Sequence, residues 1–198
     1  MKNQIRFSGL VLSSALILFL TTEEIHAQPQ PFDKGDKNLN ISIGMGTPWV
    51  LFNDYKTVLP PITASFDYGF RDDIGPGVLS LGGVIGATTY EDDGTIYTNW
   101  QYEYGYKSTT AIVALRSTYH YQIVNKIDTY GGIHLGMRVE KWSQYGNFPP
   151  YQESRDINFR PVFNIFGGAK YFFTDKIAAM LELGYGVAFI NAGICLKL

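Results

Sequence analysis

The stretch AFINAGICLKL (188–198) alternates between apolar and mixed side chains up to the last residue of the chain. Every second residue from Ala188 to Leu198 is apolar, and the residues between them are small, polar or charged, apart from Phe189 and Cys195. Successive side chains of a β-strand point to opposite faces, so this pattern predicts a strand with one wholly apolar face. Most soluble chains end instead in a loose polar tail. The question is therefore which environment covers the apolar face.

The same alternation occurs in seven earlier stretches of the chain. Strands of about 9–11 residues in an even number are what a small transmembrane barrel requires, so we predict an all-β, eight-stranded antiparallel up-and-down transmembrane β-barrel. A proline is awkward inside a closed sheet, so Pro161 predicts a late start or a bulge in the sixth strand. The seven stretches are 39–45, 62–70, 79–90, 110–121, 131–142, 160–173 and 178–185.

The connections between these stretches differ in length. Short turns rich in Gly, Pro, Asn and Asp lie at 71–77, 124–128 and 173–176, and long segments lie at 47–61, 91–108 and 143–157. Short turns at one end and long loops at the other are typical of outer-membrane barrels, whose short turns are periplasmic. The sequence therefore predicts extracellular loops at the other end.

The apolar face of the strands can point either outward to lipid or inward to the centre of the barrel. A lipocalin-like soluble barrel would bury it and expose the mixed face to water. The mixed face, however, carries many glycines and charges of both signs, which suit a narrow lumen with paired charges. Aromatic residues near the turns also fit an interfacial girdle. These features favour an apolar face toward lipid, with a soluble calycin-like ligand binder as an alternative; the aromatics are Tyr68, Phe70, Tyr119, Tyr121, Tyr171, Phe173 and Tyr185.

The start of the chain has the plan of an export signal. Lys2 and Arg6 precede an apolar stretch, 7–20, and a small residue, Ala27, marks a cleavage position. The apolar stretch is shorter than the roughly 20 residues of a membrane-spanning helix. We predict a signal peptide at 1–27, a short periplasmic tail at 28–37 and the barrel at 38–198.

Composition excludes several classes of protein. The formal net charge is −2 with no basic block, so nucleic acid is not an expected partner. Cys195 is the only cysteine, so an internal disulfide framework is impossible. Two separated histidines outside the signal and one cysteine make no metal site, and we expect no cofactor. No serine stands at a matching spacing beside His120 or His134 in their strands, so the sequence does not predict an enzyme.

The signal, the eight alternating stretches and the ending LELGYGVAFINAGICLKL (181–198) resemble the small outer-membrane β-barrel proteins of the OmpA/OmpX-like superfamily. The glycine-rich last hairpin is most similar to the versions of the Bacteroidetes lineage. This resemblance implies an outer-membrane location in a Gram-negative bacterium, contact with outer-membrane lipid and lipopolysaccharide, and delivery by the barrel-assembly machinery. Clients of that machinery often end in an aromatic residue, and Leu198 departs from this. The resemblance does not select among structural barrels, adhesins, small-solute channels and parts of larger complexes.

Candidate functional residues fall in two groups. The mixed face is predicted to hold a polar network in the lumen, which is either a static salt-bridge plug or a pathway for ions or protons. Its members are Asp67, Arg116, His134, Arg138, Glu140 and Glu182, with His120 and Lys170 on the same face. The long loops are predicted to offer aromatic contacts to an extracellular partner, since Tyr and Trp are common hot-spot residues. These are Trp100, Tyr102, Tyr104, Trp142, Tyr145 and Tyr151.

The sequence thus favours a non-enzymatic structural or surface-interaction barrel. A narrow channel for ions or small solutes is the alternative, and the soluble ligand binder is a second one.

Overall fold

Eight antiparallel strands form a closed barrel in sequence order in the computed structural model, which describes residues 31–46, 56–93, 104–146, 156–184 and 186–198. The predicted signal peptide lies outside the described residues. Among the described residues, no helix is long and apolar enough to cross a membrane. The strands are β1 (Lys37–Met45), β2 (Lys56–Arg71), β3 (Val78–Asp93), β4 (Tyr104–Val124), β5 (Ile127–Gly146), β6 (Asp156–Phe172), β7 (Ile177–Gly184) and β8 (Ile190–Lys197).

Residues Ile190–Lys197 of the stretch AFINAGICLKL form β8, which closes the barrel against β1. Ala188, which was predicted on the same apolar face, instead precedes the strand and is buried inside the barrel. Asn38 pairs with Lys197 and Met45 pairs with Ile190 at the two ends of this ladder. The amide of Leu198 donates a hydrogen bond to the carbonyl of Lys37 at 2.9 Å. The eight-stranded antiparallel fold is therefore confirmed. The end that carries the short turns is called the turn end below, and the opposite end the loop end.

The strands are unequal in length, so the prediction of about 9–11 residues for every strand is wrong. β1, β7 and β8 have 9, 8 and 8 residues, whereas β4 has 21 and β5 has 20. Threonine and tyrosine favour strands even without an apolar face, and such residues fill the start of β4. Five neighbouring strands, β2 to β6, consequently form a wall that rises beyond the short strands at the loop end.

Pro161 lies within β6 opposite Met137 of β5, in an unbroken register. The predicted late start or bulge is therefore wrong. Pairing of β6 with β7 begins only at Phe166, so Pro161 lies where the ladder to β7 has already ended. A proline is tolerated where its missing N–H has no strand partner.

The two faces of the barrel differ as the alternation predicts. The outer wall exposes large apolar side chains, such as Leu115 (73% exposed) on β4 and Ile165 (65%) on β6. The lumen face is buried and polar, with Asp67 and Lys170 both fully enclosed. Five of the predicted girdle aromatics are exposed on the outer wall, namely Tyr68, Phe70, Tyr121, Tyr171 and Phe173. Tyr119 is half-buried, and Tyr185 lies outside the described residues.

Glycines on the lumen face allow the strands and side chains to approach closely. A Cβ added at Gly82 would collide with the backbone carbonyl of Phe66, whereas one at Gly83 would lie an ordinary 3.6 Å from the carbonyl oxygen of Ala114. Gly82 and Gly83 are neighbours on opposite faces of β3, so they form a natural pair for comparison.

The substitution Gly82→Ala is expected to lower the free energy of unfolding by about 1–3 kcal/mol, because the added methyl forces the backbone apart. Gly83→Ala should leave it within about 0.5 kcal/mol. Urea titration of the folded protein, followed by gel mobility without boiling, measures both variants. Equal stability of the two variants would contradict the tight packing of β2 against β3.

Candidate functional site

Arg116 on β4 is the hub of an ion-pair cluster in the middle of the lumen. Its Nε donates to Asp67 Oδ1 of β2 at 2.8 Å, and its Nη2 donates to Glu182 Oε2 of β7 at 2.8 Å. Its Nη1 lies 3.0 Å from His134 Nε2, and because a guanidinium only donates, this nitrogen carries no proton. The guanidinium also lies 4.0 Å from the ring centroid of Phe166. One arginine on β4 therefore contacts four other strands, β2, β5, β6 and β7.

A second part of the cluster lies toward the turn end. Lys170 Nζ is fully buried, 3.6 Å from Asp67 Oδ2 and 4.0 Å from Asp128 Oδ2. Tyr130 donates from its hydroxyl to Glu182 Oε2 at 3.2 Å. The carboxyl groups of Asp67, Asp128 and Glu182 thus face Arg116 and Lys170 in this part of the lumen, with His120 alongside. Enclosed charges of this kind are stable only when they are paired.

His120 lies between a serine and a carboxylate in the geometry of a hydrolase triad. Its Nε2 is 3.2 Å from Ser80 Oγ of β3, and its Nδ1 is 2.8 Å from Asp128 Oδ2 of β5. The prediction considered only serines in the histidine's own strand, whereas this serine comes from the neighbouring strand β3. All three side chains are 2% exposed or less, and Phe32 stacks on the histidine ring with centroids 4.0 Å apart. A substrate carbonyl has no path to Ser80 in this arrangement.

The residues before β1 close the turn end of the lumen. Phe32 is buried in the barrel mouth, which the prediction of a plain periplasmic tail did not foresee. The amide of Gly35 donates to the carbonyl of Gly69, and the amide of Gly69 donates to the carbonyl of Asp36. Lys197 Nζ lies 2.6 Å from Asp36 Oδ2 and donates to the carbonyl of Pro31. The segment is therefore fastened to both β2 and β8.

The connection between β7 and β8 closes the other side of the cluster. Val187 and Ala188 are buried inside the barrel, where Val187 packs with Ile112 of β4 and Val162 of β6. A cavity between this apolar plug and the Arg116 cluster has a volume of about 20 Å³, which holds about one water molecule. The lumen is consequently filled from Phe32 at the turn end to Val187.

A separate charged group lies beyond the plug at the loop end. Arg138 Nε is 3.1 Å from Glu140 Oε1, and Arg160 Nε is 3.8 Å from Glu140 Oε2. Arg160 is 62% exposed, in contrast to the enclosed Arg116. The lumen therefore holds two charged groups with an apolar layer between them.

The predicted polar network is divided by this layer. Asp67, Arg116, His134 and Glu182 come together, whereas Arg138 and Glu140 belong to the outer group. Asp128 is absent from the predicted network because the segment VNKID (124–128) is typical of a turn, although β5 already begins at Ile127. Lys170 and His120 were correctly predicted on the lumen face but were not among the predicted members of the network. Other members that the network prediction missed are Ser80, Tyr130, Arg160 and Phe32.

Three of the six predicted aromatic loop residues lie in strands, and the other three lie outside the described residues. Trp142 and the backbones of Tyr104 and Tyr145 lie in strands, which corrects their assignment to loops. Tyr104 pairs with Gly146, and Trp142 pairs with Ser108. Trp100, Tyr102 and Tyr151 lie outside the described residues. Contact with a partner stays a prediction for all six.

Together these features define a class of protein, the closed eight-stranded up-and-down barrel with an apolar outer wall and a lumen filled by paired charges. Among the described residues, no group of three or more His, Cys, Asp or Glu is arranged to hold a metal ion. No protein-family model and no curated protein matches the chain. The finer resemblance to the Bacteroidetes-type barrels therefore stays a prediction.

Solved structures with a similar fold are small outer-membrane barrels. The N-terminal β-barrel domain of Pseudomonas aeruginosa OprF is 15% identical, with a TM-score of 0.49 over 84% of this chain and 100% of that chain. Ail, the attachment invasion locus protein of Yersinia pestis, solved in complex with the heparin analogue sucrose octasulfate, is 9% identical, with a TM-score of 0.44 over 82% and 93%. A de novo designed transmembrane β-barrel is 13% identical, with a TM-score of 0.46 over 84% and 98%. Likeness at this level supports no conclusion about ligand or activity.

Proposed function

We propose that this chain is a non-enzymatic, non-conducting barrel of the Gram-negative outer membrane that presents a tall wall of strands to the outside as an interaction surface. The observation that carries the proposal is the difference in strand length. A tilted strand needs about 9–11 residues to cross the hydrocarbon. β4 and β5 have 21 and 20 residues and are paired along nearly their whole length.

The outer wall supports a position in lipid. Every strand exposes apolar side chains on its outer face. Together they form an apolar surface larger than the exposed apolar patches of soluble monomeric proteins. A lipocalin-like soluble barrel would instead direct apolar side chains into the lumen. Outer-membrane lipid and lipopolysaccharide are therefore the proposed surroundings, and export followed by insertion through the barrel-assembly machinery is the proposed route.

The filled lumen supports a closed barrel rather than a channel. Phe32 covers the turn end, the Arg116 cluster fills the middle, and Val187 with Ala188 covers the loop side. The same closure argues against hydrolysis by Ser80, since its hydroxyl is fully enclosed.

The protein is expected to give no stepwise current in planar lipid bilayers, because only about one water molecule fits beside the Arg116 cluster. Single-channel recording of the purified, refolded protein makes this measurement, with a known porin as the positive control. Current steps that change when Glu182 or Arg138 is substituted would support the channel instead.

Removal of the outer ends of β3 and β4 is expected to abolish attachment of cells to an immobilised partner, because it removes part of the tall wall. The shortened barrel is still expected to fold. Replacing 92–106 by a two-residue Asn-Gly turn joins two paired strands, because Glu91 faces Lys107. Cells with equal amounts of either barrel are compared for attachment to immobilised glycans and matrix proteins. The heat-dependent gel shift verifies folding of the shortened barrel. Equal attachment by both strains, or the same lack of it, would contradict an interaction role for this wall.

A further inference from the structure

Two arginines lie side by side on neighbouring strands at the loop end of the lumen. Arg138 of β5 and Arg160 of β6 are direct partners in the antiparallel register. Like charges directly opposite each other on neighbouring strands destabilise a sheet. A neutral residue at either position would remove this repulsion and stabilise the wall. The presence of two adjacent arginines therefore indicates a binding role rather than a structural one.

The carboxylate between them does not balance the pair. Among the acidic residues whose side chains the structure describes, which leaves out Asp156, Glu140 is the one within ion-pair distance of either arginine. It lies closer to Arg138, at 3.1 Å, than to Arg160, at 3.8 Å. Arg138, Arg160 and Glu140 together therefore carry an excess of positive charge.

The arginines adjoin the apolar plug. Arg138 pairs with Ile112, and Arg160 is two residues from Val162 on the same face of β6. Ile112 and Val162 are the two residues that pack against Val187. The plug therefore forms a floor, so a ligand that enters from the loop end stops beside the guanidinium groups.

We infer that Arg138 and Arg160 bind a phosphate or sulfate group carried by a water-borne molecule that enters the loop end of the lumen. A guanidinium presents a planar fork of donors that fits tetrahedral oxyanions, and hydrogen bonds between opposite charges are the strong ones. Glu140 holds both arginines in place and competes with the ligand for them. That the loop end faces the outside of the cell rests on the proposed function, but the binding of an anion by the two arginines does not.

Isothermal titration calorimetry of the folded protein in zwitterionic micelles tests the inference, with inorganic phosphate and inorganic sulfate as probes in a Tris buffer. We expect binding at one site, weakened about tenfold or more in Arg160→Gln, because a charge-assisted hydrogen bond is lost. Glu140→Gln is expected to strengthen binding several-fold, because it removes the competing carboxylate.

The matched control is Lys141→Gln. Lys141 adjoins Glu140 in β5 but points to the opposite face, so the same loss of charge should leave the affinity unchanged. Absence of heat with both probes, or equal weakening by Lys141→Gln and Arg160→Gln, would overturn the inference. Arg160 is largely exposed, so its variant is expected to fold, and the gel shift verifies this. Because the titration is done in micelles, its outcome is independent of where the protein resides in the cell and of the wall's attachment role.

Discussion

Replacing Arg116 with methionine is expected to lower the free energy of unfolding by about 3–5 kcal/mol, the largest effect of any single polar substitution in the lumen. The side chain is 1% exposed and pairs with Asp67 and Glu182, each at 2.8 Å. Its loss leaves two enclosed carboxylates without their main partner. Methionine has a similar length, so the loss of charge and not a cavity dominates the result.

Two further variants separate this explanation from general damage to the barrel. Arg116→Met combined with Glu182→Gln should recover part of the loss, because one of the unpaired charges is removed as well. Arg160→Met also removes an arginine from the lumen face, but its side chain is 62% exposed, so the free energy of unfolding should change by less than about 1 kcal/mol in either direction. Urea titrations of folding into lipid vesicles measure all three. Equal losses for Arg116→Met and Arg160→Met would contradict the central role of Arg116.

Leu115→Arg is expected to cost about 2–4 kcal/mol for folding into lipid vesicles, because it places a charge on the lipid side of the wall. Leu115 is 73% exposed and lies in the middle of the apolar stripe of β4. Ile123→Arg, on the same face but at the turn end, should cost only about 0–1 kcal/mol, since lipid-facing charge is tolerated near an interface. On a water-exposed face both changes would lie within about 0.5 kcal/mol. A negligible cost for Leu115→Arg would therefore contradict the lipid-facing assignment.

The repeat of alternating stretches predicted the fold because each stretch contrasts an apolar with a polar face. The stripe that ends at Leu198 identified β8, and its pairing with β1 follows from barrel closure. The same contrast placed Asp67, Arg116, His134 and Glu182 on one face. Alternation determines only the face of each residue, so their meeting at Arg116 depends on registers that no single strand reveals.

Features without that contrast could not be predicted. The start of β4, from Tyr104 to Thr110, is polar on both faces and resembles a loop in sequence, although it continues the ladder to β5. Ser80 and His120 come from neighbouring strands, so their contact requires the pairing of Ser80 with Thr118 in the β3–β4 register. Phe32 precedes the first strand and has no periodic signal at all. Its burial follows from the hydrogen bonds of residues 35 and 36 to Gly69, which depend on the folded barrel.

An apolar wall that meets lipid around a closed lumen should give the protein the behaviour of a folded outer-membrane barrel on gels. Boiled and unboiled samples of the detergent-extracted outer-membrane fraction are compared for gel mobility. We expect the protein in that fraction, resistant to SDS when unboiled and shifted in mobility on heating. Recovery in the periplasmic fraction without detergent, with no shift on heating, would overturn the lipid-facing assignment.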